Sequence, residues 1–206
     1  MSETDVNLSL VLVGDANVGK TSLLNRFVLN QFLETRPTTG IDYVRKAVRV
    51  LDKTVTVRFW DTAGSEKFNA LSDAYFKYAA GVFLVFDVTR EATFDKLRLW
   101  LMIIKDKCRE NIKVALIGNK NDLIGERQVS FEAGSKFAKE NGLFYFETSA
   151  KENKDEGVEK AFNELVRETF SLQEKEFKRR SSVGKKVRKV QRMSLGEEKK
   201  AKGCCG

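Results

Sequence analysis

The octapeptide Gly14-Asp15-Ala16-Asn17-Val18-Gly19-Lys20-Thr21 matches G-x-x-x-x-G-K-[ST] and sits between two patterns of different period. LSLVLVG (8–14) before it reads as a buried strand, and KTSLLNRFVL (20–29) after it as a helix. A strand that turns through a glycine-rich loop into a helix directs backbone N–H groups at one point, and such a point holds phosphate oxygens. Lys20 would reach the β and γ phosphates, and the Thr21 hydroxyl would coordinate magnesium. An unliganded glycine-rich turn is the plainer explanation, and the strand-to-helix context speaks against it.

Alternation of this kind continues along the chain. Val44–Val50 and Val55–Phe59 read as strands joined by a turn at Asp52-Lys53. GVFLVFDVT (81–89), KVALIGNK (113–120) and LFYFE (143–147) read as further strands. Helical spacing covers 94–108, 131–141 and 156–174. Near-continuous apolar strands alternating with helices predict an α/β domain with a mostly parallel sheet covered on both faces. Ligands of such sheets lie at the carboxyl ends of strands.

Three motifs fall at those ends. DTAG, Asp61–Gly64, follows VTVRFW. NKND, Asn119–Asp122, ends KVALIG. TSAK, Thr148–Lys151, ends the next strand. The Asp122 carboxylate can accept from N1–H and the N2 amine of guanine; adenine has no donor at either place and would leave a buried charge unpaired. Lys120 can lay its stem along the base, and the Ala150 N–H can donate to guanine O6, with Ser149 and Lys151 beside it. Each motif alone is consistent with a polar loop capping a strand. Together, in this order, they specify a guanine nucleotide.

The phosphate loop, DTAG, NKND and TSAK together resemble the small GTPases of the Ras superfamily over residues 7–173, and TGIDY (39–43), FWDTAG (59–64) and the Cys204-Cys205 ending resemble its Rab branch. The resemblance implies a P-loop NTPase (small G protein) fold, with a six-stranded mostly parallel sheet flanked by five helices. It implies GTP/GDP and Mg2+ as cofactors, and two switch segments that order around the γ phosphate. The cofactor-binding residues would be Gly14 to Ser22, Phe32, Thr38, Asp61, Gly64, Asn119, Lys120, Asp122, Ser149, Ala150 and Lys151. Thr21, Thr38 and, through water, Asp61 would hold the metal. Phe32 would pack on the base edge, and the Gly64 N–H would contact the γ phosphate.

This chain departs from the Rab pattern in three places. AYFKYAAG (74–81) stands where close Rab relatives carry consecutive tyrosines. Switch I is one residue short: counting back from Gly40 gives Thr38 as the metal ligand, favoured because Thr-x-Gly anchors the next strand, whereas counting forward from Lys20 gives Thr39. Ser65 occupies the position where the family has the glutamine that orients the attacking water. With Lys20 and Gly64 as the other catalytic positions, slow intrinsic GTP hydrolysis is expected, dependent on an activating protein that supplies an amide and an arginine. The alternative is a GTP-loaded, hydrolysis-deficient effector-binding module of the same fold. Ala16, glycine in some relatives, is common among Rabs.

Charge separates the domain from its tail. The chain has 37 Lys and Arg against 29 Asp and Glu, a net of +8. Residues 1–173 are neutral overall, and residues 174–206 carry the whole excess. Nucleic-acid binding by the domain loses its basis, and the tail reads as flexible and basic. KKVRKVQR (185–192) as a nuclear or RNA signal competes, but it lacks aromatics for stacking. The Cys204-Cys205 pair resembles Rab endings that are geranylgeranylated with an escort protein's help. Two lipids anchor stably where one does not, and Lys199, Lys200 and Lys202 would each add about 1 kcal/mol on an anionic surface, partly offset by Glu197 and Glu198. Cys108 reads as a small core residue. The N-terminus has no basic region before its apolar run, so no signal peptide is expected. The resemblance implies a monomeric switch in vesicle trafficking on the cytoplasmic face of an intracellular membrane, cycling with cytosol. It would be served by an exchange factor, a GTPase-activating protein, a GDP-dissociation inhibitor and effectors.

Overall fold

The computed structural model describes residues 7–33, 38, 40–62 and 73–201, with side chains as far as 179. The chain divides into two compact units, Met1–Thr169 and Phe170–Gly206. In the first, six strands form one sheet: β1 (Asn7–Val13), β2 (Ile41–Val50), β3 (Lys53–Thr62), β4 (Gly81–Asp87), β5 (Lys113–Asn119) and β6 (Phe144–Thr148). Their order is β2-β3-β1-β4-β5-β6. Only the β2–β3 pair is antiparallel. The helices are α1 (Lys20–Leu29), α2 (Asp73–Lys77), α3 (Glu91–Asp95), α4 (Leu97–Lys107), α5 (Phe131–Asn141) and α6 (Gly157–Ala201). With α3 and α4 taken as one broken helix, these are the expected six strands and five helices of the small G protein fold.

The central strands are apolar on both faces because both faces are covered. Every residue of β4 is buried. On one face an aromatic stack joins Phe27 of α1, Phe59 of β3, Phe162 of α6 and Phe83 of β4, with centroids 4.3 to 5.8 Å apart. On the other face Val11, Leu84, Phe86 and Leu116 pack with Trp100, Leu101 and Ile104 of α4 and Phe137 of α5. Burying this apolar surface supplies most of the driving force for folding.

Several element limits differ from the sequence expectation; β2, for instance, starts at Ile41 rather than Val44. The β2–β3 turn is Leu51-Asp52, with Val50 paired to Lys53, one residue earlier than Asp52-Lys53. The helix expected over 94–108 starts at Glu91 and breaks at Lys96. At this break Lys96 donates to Asp15 Oδ2 at 2.8 Å, and Trp100 Nε1 to Asp15 Oδ1 at 3.2 Å, so a tertiary anchor bends what periodicity reads as continuous. Strand β6 begins one residue later than expected. The last helix continues past Glu174 to Ala201. Backbone hydrogen bonds propagate through its Lys, Arg, Glu and Gln without requiring a buried face.

Candidate nucleotide site

The loop joining β1 to α1 is shaped by two glycines. Gly14 has φ +138°, and a Cβ there would lie 2.1 Å from the Val85 carbonyl oxygen. Gly19 has φ +92°, with a Cβ position 2.3 Å from Asn119 Nδ2. Neither position tolerates a side chain. Gly19 also caps α1 without a side-chain acceptor, so the first N–H groups of the helix are left for an anion. Val18 is fully buried and anchors the loop. From outside, Arg90 Nη2 donates to the Ala16 carbonyl at 2.9 Å, while Lys96 and Trp100 hold Asp15.

Lys20 is 5% exposed, and its Nζ donates to the carbonyls of Gly14 and Asp15, both at 2.8 Å. Burial lowers its pKa to about 8, against the opposing pull of Asp61 and Asp15. It is a buried cation with two neutral acceptors, which a phosphate anion would complete.

Beside it, Thr21 Oγ1 donates to Asp61 Oδ2 at 2.6 Å and lies 3.0 Å from Thr38 Oγ1. Residues distant in sequence thus bring two hydroxyls and one carboxylate to a point. Asp61 Oδ1 is buried with no hydrogen-bond partner. Burial raises the Asp61 pKa, while the hydroxyl of Thr21 and the charge of Lys20 pull it down. A hard cation fits this donor set, since it takes oxygen ligands and would satisfy the orphaned oxygen. Among the described residues no cluster of three His, Cys, Asp or Glu occurs. A cation here would keep much of its water, as magnesium does. Thr39, Gly64 and Ser65 lie outside the described residues.

The third part is a cavity of about 340 Å³, lined by Asn17, Gly19, Ser22, Phe32, Asn119, Lys120, Asp122, Ser149, Ala150 and Lys151 together with Leu123. Asn119 ties the site together. Its Nδ2 donates to the Val18 carbonyl at 2.8 Å, and its Oδ1 accepts from the Ala150 N–H at 3.2 Å. The Ala150 donor, expected to face guanine O6, is thus directed at Asn119. Ser149 Oγ accepts from the N–H groups of Lys151 and Glu152, both at 3.0 Å, and shapes the turn.

Sequence reasoning missed the group behind this wall. Asp87, fully buried at the end of β4, accepts Lys120 Nζ at 2.6 Å and Arg90 Nε at 3.1 Å on Oδ2, and the Thr89 N–H and hydroxyl on Oδ1. Burial alone would raise its pKa, but the bonds from Lys120 and Thr89 hold it below the usual carboxylate range. Lys120 has φ +68°, so this ion pair fixes both an unusual backbone and the direction of the stem. Arg26 donates to the carbonyls of Ala150 and Lys151 at 2.8 and 2.9 Å, tying α1 to the base loop. A carboxylate ending a wholly apolar strand was the available signal for Asp87. Nothing local marks Arg26.

A phosphate loop at the first strand end, a hydroxyl-carboxylate cluster at the second and a base cavity beyond define a nucleotide site of the P-loop class. Residues 9–171 match the Ras family model. The chain is 43% identical over 171 residues to the Ras-related protein Rab11D of Lotus japonicus, spanning 82% of this chain and 78% of that one. It is 41% identical over 169 residues to the Ras-related protein Rab11B of Nicotiana tabacum, spanning 82% and 77%. It is 36% identical over 208 residues to the Ras-related protein YPTC6 of Chlamydomonas reinhardtii, spanning 98% and 95%. The chain belongs to the Ras family, as a Rab-like small GTPase.

Proposed function

We propose that this chain is a membrane-anchored GTP/GDP switch in vesicle traffic whose own hydrolysis is slow. The observation that carries the switch reading is the contact of Thr21 with both Thr38 and Asp61. Thr38 precedes β2, and Asp61 lies at the end of β3. A γ phosphate placed there would bias both segments at once, and effectors would read the result. The Thr38 hydroxyl, 3.0 Å from that of Thr21, supports Thr38 as the metal ligand, with Thr39 the alternative.

The chain's groups act by position and charge. The loop N–H groups and Lys20 hold the phosphates and offset developing negative charge. Asn119 keeps the loop and the base cavity in register, and Asp122 selects guanine. Thr21, Thr38 and, through water, Asp61 would hold Mg2+, whose charge would offset that of the phosphates. Ser65 is too short to orient water as a glutamine does, so the chemical step waits for a partner that supplies the missing amide. The same serine supports a second reading, a GTP-loaded effector-binding module with little turnover.

Prenylation of Cys204 and Cys205 would supply the anchor, as no described helix is long and apolar enough to cross a membrane. The test is single-turnover hydrolysis with magnesium. Wild type should turn over slowly, and Ser65→Gln should accelerate it. Brisk wild-type turnover unaltered by the substitution would refute slow hydrolysis. Failure to bind GTP at all would refute the switch.

A further inference from the structure

Helix α6 runs from Phe170, 2% exposed, through Phe177, 72% exposed, and on to Ala201. Lys175, Lys178 and Arg179 are exposed as well. From Lys178 to Leu195 the chain carries eight Lys and Arg and no Asp or Glu. Within this stretch, Arg179-Arg180-Ser181-Ser182-Val183 sets two arginines two and three residues before Ser182 and an apolar residue directly after it. An acidic groove that ends in an apolar pocket recognises that order. Guanidiniums pair with carboxylates in forked geometry, and charge patterns of this kind are how protein kinases choose their substrates.

Helical register adds an independent observation. Positions three and four apart on a helix are neighbours. Ser182 therefore has Lys178 and Arg179 one turn before it, and Lys185 and Lys186 one turn after it. Ser181 has only Lys178 and Lys185 at those distances, beside Phe177 and Gly184. Ser194 follows a single nearby arginine, Arg192, and has Glu197 and Glu198 one turn after it. A phosphate gains charge-assisted hydrogen bonds beside cations and is repelled beside carboxylates. We infer that Ser182 is a phosphorylation site for an arginine-reading serine kinase, and that its phosphate loosens the tail from an anionic membrane. The membrane effect, but not the site, rests on the proposed anchoring role of the tail. In the transfer the Ser182 hydroxyl oxygen attacks the γ phosphorus of ATP. The new O–P bond forms as the bond from that phosphorus to the β–γ bridging oxygen breaks. ADP leaves, and the hydroxyl proton passes to a carboxylate of the kinase. A solvent-exposed helical segment is marginally stable in water, so a kinase groove can take it extended. Once the helix re-forms, the phosphate has four cationic neighbours. It lowers the net charge of the stretch by about two and draws those cations away from lipid headgroups.

The test uses the lipid-free full chain, MgATP and the purified catalytic subunit of cyclic-AMP-dependent protein kinase. Its readouts are peptide mass mapping and co-sedimentation with phosphatidylserine vesicles. One phosphate should enter, at Ser182. Ser182→Ala should abolish incorporation, whereas Ser181→Ala and Ser194→Ala should keep it. The double variant Arg179→Gln/Arg180→Gln should slow labelling about tenfold or more. At low salt the phosphorylated chain should bind vesicles about tenfold more weakly than the unmodified chain, and should bind GDP equally well. Labelling confined to other serines, or labelling undiminished in the arginine double variant, would overturn the site. Unchanged vesicle affinity after full phosphorylation would overturn the regulation. Failure of the unmodified chain to bind vesicles would instead refute the anchoring role of the tail, with the site still decided by the mass map.

Discussion

Lys20 shows how one residue couples burial to ligand binding. Its pKa of about 8 comes first from desolvation, and a phosphate anion beside it would raise that value. Binding above pH 8 therefore requires proton uptake. The sign follows: nucleotide affinity should be flat below pH 8 and fall about tenfold per pH unit above it, until the bound form also titrates. Titration of a fluorescent GDP analogue between pH 7 and 9.5 measures this, and Lys20→Met should weaken binding and flatten the dependence. Gly14 makes the complementary point about space. With φ +138° and the Val85 carbonyl 2.1 Å from a Cβ position, Gly14→Ala should cost ~2–4 kcal/mol by denaturant unfolding.

At the scale of elements, the β2–β3 turn and the end of β4 carry opposite kinds of strain. Leu51 sits at φ +56° and is 74% exposed. It bears the left-handed penalty with little burial in return, so Leu51→Gly should stabilise the protein by about 1 kcal/mol. A higher midpoint at unchanged denaturant slope is the expected result. Asp87 is the reverse case, a buried carboxylate whose partners justify it. Asp87→Ala would strand the Thr89 N–H and release Lys120 and Arg90. A loss of ~2 kcal/mol in stability is expected, with weaker guanine nucleotide binding by calorimetry because the Lys120 stem loses its direction. Legibility ran out at this scale. Helices α1 and α5 were readable to the residue because each has a clear period and cap: Ser130 accepts the Ala133 N–H at 3.1 Å, and Gly142 closes α5 with φ +67°. The break at Lys96 was not readable, because its cause, Asp15, lies 81 residues away.

For the whole molecule, the partition of charge predicts a partition of roles. A chain truncated after Gln173 keeps the motifs and a neutral net charge. It should bind guanine nucleotide with unchanged affinity. The full chain, even without lipid, should bind phosphatidylserine vesicles better than the truncated one, and salt should remove the difference. Vesicle co-sedimentation at low and high ionic strength checks both statements.

The sequence by itself determined the parts of the site whose chemistry is local. The phosphate loop, NKND and TSAK each lie at a strand end that continuous apolar residues announce, so their assembly at one sheet edge followed from an α/β reading alone. Tertiary structure decided what long-range pairing sets. It brought Thr38 beside Thr21, gave Lys120 its partner in Asp87, and turned the Ala150 N–H toward Asn119. The reason is that strand register and helix packing join residues tens of positions apart, and hydrophobic periodicity reports which face a residue takes but not which residue stands across from it.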